Sequence, residues 1–310
     1  MEASALEVRA VPDRLAGLRP LVSELMDLKR VRTPDQPDGL AAHGFRRAWA
    51  ALAAGADPET LALRETALAL VGIRLGGMDE AVLRRAGLPA EDTRKVLHRA
   101  LNAASGPLDP GLRERLHAAL DAPLDAGGAE PPAFVERLVR QPRAGPTRAH
   151  HPRVVLLPSE SHADHCYVVA VASVLVAPLF DADPATPFVA AMGHHFFNVV
   201  LPDAGDYGDR LLGEYSAPLM ERVTEEVLAT LPAPVAERVR EARRILPHTR
   251  TPEARAFHAA DALDRVLEMD AHARAAGFTL RQALEDLELI HEGPLQAYEN
   301  EVLTAAGFLY

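Results

Sequence analysis

The most apolar stretch of the sequence, residues 167–180, constrains the fold more than any other feature. It runs for 14 residues without a charged side chain, and Asp181, Asp183 and Pro184 follow it directly. A membrane-spanning helix needs roughly 20 apolar residues. We therefore interpret this stretch as a helix buried in the core of a protein that does not enter a membrane.

The rest of the chain reads as a series of amphipathic helices, because apolar residues recur at near-helical spacing. No segments of alternating polarity separate the helices, so we predict an all-α protein rather than a doubly wound α/β fold. The predicted helices are residues 18–28, 41–54, 58–75, 79–86, 91–104 and 110–120, followed by 160–180, 186–200, 208–231, 233–245, 252–273 and 279–305.

A segment rich in proline and glycine divides the helices into two groups. Such segments are typical of domain boundaries. We predict an N-terminal helical domain at 1–122, a linker at 123–152 and a second helical domain at 153–310.

Charge and cysteine content restrict the partners and the compartment. The formal net charge is -11, which disfavours nucleic acid as a partner because the surface would repel phosphate backbones. Cys166 is the single cysteine, so no intramolecular disulfide can form. The N-terminus lacks an apolar core of signal-peptide length. These features predict a cytoplasmic protein.

Four ionisable residues lie in apolar helical segments of the second domain. His165 begins the apolar helix, His194 and His195 follow an apolar run, and Asp261 lies on a helix with an apolar face. Burying such groups is costly unless their polar atoms are satisfied. Because neutral imidazole and carboxylate are good ligands for transition metals, we predict that the four bind a divalent ion such as zinc, manganese, iron or cobalt.

The order of these residues resembles the HD superfamily of metal-dependent phosphohydrolases. The matching stretches are SESHADHC around His165, GHHFFNVVLPD around His194 and His195, and AADALDRV around Asp261. The nearest pattern is that of the HD-type 5′-deoxynucleotidases, and the resemblance covers about residues 155–275. It implies an HD-like helical bundle that acts on a phosphorylated small molecule, here preceded by the second helical domain.

The chain departs from the family pattern at two positions. The aspartate of the usual His-Asp pair is His195, which can bind a metal but cannot bridge two ions as a carboxylate can. The expected catalytic glutamate is Asn198, which cannot transfer a proton. The next acid of the pattern falls on Asp203, which we expect to orient water or hold the sugar of the substrate.

Three further histidines are weaker candidates for ligands or for groups that support the ligands. His162 precedes His165 by three residues, so the two can share a helix face. His258 has the same spacing from Asp261, and His248 lies in a predicted loop.

Three functions remain open from the sequence. The first is a mononuclear metal-dependent phosphohydrolase acting on a nucleotide or another small phosphate ester. The second is an iron-dependent oxygenase of the HD type. The third is a degenerate, non-catalytic HD domain that serves as a binding or interaction module. The oligomeric state has no sequence signal.

Overall fold

The computed structural model describes residues 2–122, 129–151, 153–154, 156–276, 279–285, 289–290 and 292–308. The α-helices are α1 (Glu2–Leu25), α2 (Leu40–Ala53), α3 (Pro58–Leu75), α4 (Glu80–Arg85), α5 (Ala90–Ala104), α6 (Pro110–Asp121), α7 (Ala133–Arg140), α8 (His162–Val176), α9 (Ala185–Gly193), α10 (Gly205–Leu212), α11 (Ser216–Leu228), α12 (Ala233–Arg243), α13 (Pro252–Ala276), α14 (Leu280–Glu285) and α15 (Gln296–Ala305). Among the described residues there is no strand, only isolated bridges, so the predicted all-α class is confirmed.

Local sequence signals place several helix starts. Asp57, Asp79 and Asp109 each accept a hydrogen bond from a backbone amide in the first turn of α3, α4 and α6. Ser161 and Asp164 form a capping box at the start of α8, in which each side chain accepts from the other residue's backbone amide. Such caps satisfy amides that the helix itself leaves free.

Helix α8 is the centre of the fold, since every one of its residues is buried. It packs against α9 and α13 in the second half of the chain and against α2 and α3 in the first half. The segment His162–Leu179 is long and apolar enough to cross a membrane by length and composition alone. Because 89% of that window is buried inside the protein, it behaves as a core helix.

The two halves of the chain share one hydrophobic core. Trp49 of α2 contacts Phe134 of α7 and Phe196 of the second half, with ring centroids 5.0 and 5.4 Å apart. Helix α7 lies in the predicted linker at 123–152, of which residues 123–128 and 152 are outside the described residues. The predicted division at this linker stays a prediction, and testing it requires each part to be folded alone.

Several predicted helices are interrupted in the structure. Residues 186–200 form α9 only as far as Gly193, followed by a 3-10 turn at Phe196–Val199. Residues 208–231 are broken at Gly213, whose φ of 55° and ψ of -130° suit glycine far better than other residues. Residues 279–305 contain α14 and α15 as separate helices, and the described residues between them, 289–290 and 292–295, are not helical.

Candidate metal centre

The four predicted metal ligands come together from three helices. His165 lies in the first turn of α8, and His194 and His195 lie at the end of α9. Asp261 lies in the middle of α13. Because α8 packs against both α9 and α13, these side chains meet at one point beside the core.

Hydrogen bonds fix the orientation of the first two imidazoles. His165 Nδ1 donates to Asp264 Oδ2 at 2.6 Å, and His194 Nδ1 donates to the carbonyl oxygen of Ala191 at 2.6 Å. An ionised carboxylate and a carbonyl can only accept, so in each neutral ring the proton is on Nδ1. The Nε2 atom of each ring therefore carries a free lone pair.

The third imidazole is fixed by Asn198. His195 Nδ1 donates to Asn198 Oδ1 at 2.8 Å, while Asn198 Nδ2 donates to the carbonyl oxygen of Leu201 at 3.1 Å. The bond to Leu201 requires the amide nitrogen of Asn198 to point away from the ring and its oxygen to point toward the ring. The proton of the neutral His195 ring is therefore on Nδ1, and its Nε2 atom also carries a free lone pair. The sequence predicted Asn198 as a candidate catalytic residue. In the structure this side chain orients the candidate metal ligand His195.

The free nitrogen atoms converge with Asp261. His165 Nε2 lies 3.0 Å from His194 Nε2, and Asp261 Oδ1 lies 3.2 Å from the first and 4.0 Å from the second. The ligand atoms of His165, His194 and His195 all lie within 4.8 Å of one another. A metal ion bound at 2.0–2.1 Å needs ligand atoms about 3 to 4 Å apart. The spacing of these atoms fits a divalent metal ion bound by His165, His194 and Asp261, with the His195 imidazole within reach of the same position.

The electrostatics keep three of these side chains, His194, His195 and Asp261, in the forms that bind a metal. Burial, reinforced by the nearby His165, lowers the pKa of His194 to about 3. Burial and the neighbouring His194 also hold the pKa of His195 well below its usual range. Burial alone would raise the pKa of Asp261, but Arg265 and His165 outweigh it and hold that pKa well below its usual range. Neutral imidazoles and an ionised carboxylate are the states that bind a metal.

Asp203 and His162 lie beside this cluster. Asp203 Oδ2 accepts from the backbone amide of Ala144 at 2.8 Å, and Oδ1 accepts from that of Gly205 at 2.9 Å. His162 is fully buried, its ring centroid lies 4.6 Å from that of His195, and its Nε2 lies 3.6 Å from Asp203 Oδ2. Neither ring nitrogen of His162 has a hydrogen-bond partner among the described residues. His162 therefore lies against the His195 ring and close to Asp203, without a hydrogen bond to either.

The two remaining candidates differ in position. His258 is 3% exposed, lines the same cavity as His194 and Asp261, and has an Nε2 without a hydrogen-bond partner in the described part of the chain. His248 lines a separate cavity with Thr251. The structure thus brings His258 to the candidate centre and leaves His248 outside it.

Two cavities open beside the cluster, with volumes of about 220 and 320 Å³. Both are lined by His195, Phe197, Arg143 and Arg265. Asp203 and Asn198 line the smaller cavity, while Asp261 lines the larger one. Both cavities are therefore bordered by the candidate ligand His195 and by the same two arginines.

Two residues that support this centre were not among the predicted site residues. Helical spacing in the sequence places Asp264 on the same side of its helix as Asp261, but only the structure shows that it accepts a hydrogen bond from His165. Lys29 lies 2.7 Å from Asp264 Oδ1 but 235 residues away in the sequence, and nothing around it distinguishes it from a surface lysine.

Comparison with known proteins agrees with this arrangement. A sequence model described as an HD domain matches residues 135–291, just over half of the chain, and the matched range contains all four predicted ligands. No curated protein and no solved structure matches the chain. The narrower resemblance to 5′-deoxynucleotidases stays a prediction. With its matched range, its all-α fold and its cluster of candidate metal ligands, the chain belongs to the HD domain family.

Proposed function

We propose that this protein is a mononuclear metal-dependent phosphohydrolase that acts on a nucleotide or another small phosphate ester. The observation that carries the proposal is the convergence of three lone-pair nitrogens and one carboxylate at the junction of two cavities. His165, His194, His195 and Asp261 would hold the ion. A divalent ion bound there supplies positive charge for a phosphoryl oxygen and lowers the pKa of a bound water.

Two arginines support a phosphorylated substrate. Arg143 donates to Glu160 Oε1 at 2.7 Å through one of its two terminal nitrogens. Arg265 donates to Glu299 through a terminal nitrogen, and its Nε lies 3.5 Å from Asp261 Oδ2. Guanidinium groups are well suited to phosphate oxygens because each presents several donors in one plane. Both arginines line both cavities, so either can reach a phosphate bound at the centre.

The size of the site favours a small substrate. Pockets for small molecules typically have volumes of about 300–1,000 Å³. The two cavities, of about 220 and 320 Å³, together suit a nucleotide or a smaller phosphate ester.

A residue other than Asn198 must act as the general acid or base. An amide cannot transfer a proton, and both polar ends of Asn198 are already bonded. In this proposal Asp203 orients the attacking water or a substrate hydroxyl group in the smaller cavity. Each of its oxygens accepts one backbone amide and keeps capacity for a further hydrogen bond.

The first experiment is to purify the protein without a metal-binding tag and to quantify its metals by mass spectrometry. We expect about one equivalent of zinc, manganese, iron or cobalt, which His194→Ala loses. His117→Ala is the matched control, because His117 is paired with His98 in the first half of the chain and its loss should leave the metal content unchanged.

The second experiment measures phosphate release. The protein loaded with each metal is assayed against nucleoside monophosphates and simple phosphate esters, with His194→Ala as the negative control. Absence of metal even after reconstitution would overturn the proposal and indicate a non-catalytic binding module. Oxygen consumption by the iron-loaded protein without phosphate release would instead indicate an oxygenase.

A further inference from the structure

A buried lysine from outside the matched HD range lies behind the candidate metal centre. Lys29 ends a 3-10 turn, Met26–Lys29, that directly follows α1, and its side chain is 2% exposed. Its Nζ lies 2.5 Å from Glu160 Oε2, 2.7 Å from Asp264 Oδ1 and 3.4 Å from Glu268 Oε2. Burial alone would lower the pKa of Lys29, but the three carboxylates outweigh it and raise that pKa, so the side chain is charged.

One of these carboxylates connects the lysine to a candidate metal ligand. Asp264 is completely buried, and its two oxygens have different partners. Oδ1 faces Lys29, while Oδ2 accepts the Nδ1 proton of His165 at 2.6 Å. Because no solvent reaches the carboxylate, these two contacts fix its orientation, and that orientation directs His165 Nε2 toward the centre.

The position of Lys29 also explains why a second group of two acids and one histidine need not bind a metal ion. Glu160, His165 and Asp264 offer atoms within 4.8 Å of one another, a spacing that could hold a metal ion. The ammonium group of Lys29 already lies against both carboxylates of this cluster. The Nδ1 atom of His165 is also used by Asp264. The protein therefore supplies its own cation here, and the cluster supports the neighbouring centre.

We infer that Lys29 is a positioning residue for the metal centre, acting through Asp264 to hold His165 in its ligand orientation. The inference rests on the metal centre of the proposed function, but not on phosphate hydrolysis. It also gives the N-terminal part of the chain a role, because Lys29 lies more than 100 residues before the matched HD range. Groups that orient metal ligands in this way typically contribute about 10- to 100-fold to metal affinity.

The adjacent residue provides a matched control. Arg30 is also positively charged and contacts one of the same carboxylates, since its Nη2 lies 2.8 Å from Glu268 Oε1. Both Lys29→Met and Arg30→Met remove one positive charge next to Glu268, but Lys29→Met alone removes a partner of Asp264. A general weakening of the network would affect both variants, whereas loss of positioning would affect only the first.

The test measures the Kd for zinc and for cobalt by competition with a chelator in wild type and both variants. We expect Lys29→Met to weaken binding by about tenfold or more, with Arg30→Met remaining within about threefold of wild type. Unchanged affinity in Lys29→Met, or equal losses in both variants, would overturn the inference.

A second pair of variants covers the case in which Lys29→Met fails to fold. Combining each substitution with Glu268→Gln removes one charge of each sign, so the buried network keeps its net charge. The same difference in metal affinity is expected between Lys29→Met/Glu268→Gln and Arg30→Met/Glu268→Gln. Wild-type protein that binds metal but releases no phosphate would overturn the proposed activity alone, whereas equal metal affinities in this pair would overturn the role of Lys29 alone.

Discussion

Replacing Asn198 by alanine should weaken metal binding because it removes the acceptor that fixes His195. Asn198 is 4% exposed, and its Oδ1 lies 2.8 Å from His195 Nδ1. When His195 Nε2 binds a metal, its proton must be on Nδ1, and in Asn198→Ala that proton has no acceptor. A buried donor left unpaired costs about 1–3 kcal/mol. Since 1.4 kcal/mol corresponds to a factor of about ten, the Kd should rise by about 5- to 150-fold.

The assay is chelator competition on the metal-free protein, with thermal unfolding measured in parallel to confirm that the fold is intact. Asn102→Ala is the matched control, because Asn102 Oδ1 lies 3.0 Å from His117 Nε2 in an equivalent contact of the first half of the chain. The control should keep wild-type metal affinity. A Kd for Asn198→Ala within about twofold of wild type would refute the role assigned to this amide.

Three further predictions concern substrate binding, acid stability and packing. Arg143→Met should raise the KM for a phosphate ester by about 10- to 100-fold, the equivalent of one charge-assisted hydrogen bond, with unchanged metal content. Burial would raise the pKa of Glu268, but Lys29 outweighs it and holds that pKa below 4.5. The charged Glu268 side chain therefore stabilises the fold above about pH 4.5, and this stabilisation is lost on acidification. The difference in unfolding free energy between wild type and Glu268→Gln, measured by urea titration, should therefore shrink below that pH. Gly44→Ala would place a Cβ atom 2.2 Å from the ring of buried Tyr167, and should lower the unfolding free energy by about 1–3 kcal/mol.

Each of the three has an outcome that would contradict it. A KM for Arg143→Met equal to that of wild type and of Arg143→Lys would exclude a phosphate contact. A difference between wild type and Glu268→Gln that stays constant from pH 7 to pH 3 would mean that the carboxylate has the same pKa in both states. Gly17→Ala, at a helical position with open space around it, should not destabilise the protein, and equal losses in both glycine variants would exclude the clash with Tyr167.

Most helices could be predicted from the sequence because their signals are local. The predicted helix at 58–75 agrees with α3, whose start is marked by Asp57 as the cap and Pro58 in the first turn. The break at Gly213 was not predictable from periodicity, because apolar spacing continues across it. Only the positive φ of this glycine ends α10 there, and a backbone angle leaves no trace in the hydrophobic pattern.

The site was predictable where polar residues interrupt apolar segments. His194 and His195 stand out because an imidazole among buried side chains needs a partner. Lys29 does not stand out, since its partners Glu160 and Asp264 are 131 and 235 residues away in the sequence. Contacts of this kind are set by how the helices pack, and a single sequence carries no local record of that packing.

The two departures from the HD pattern, His195 and Asn198, form one structural unit. A histidine at the second position of the pair needs an acceptor at Nδ1 in order to present Nε2, and Asn198 supplies it. The amide also donates to the carbonyl oxygen of Leu201, which an ionised glutamate at the same position could not do. In the proposed centre, the pair would therefore replace a bridging carboxylate and a proton-transfer group with one oriented neutral ligand. We expect such a set of three nitrogens and one oxygen to favour a single zinc, iron, manganese or cobalt ion over magnesium or calcium, which prefer oxygen ligands.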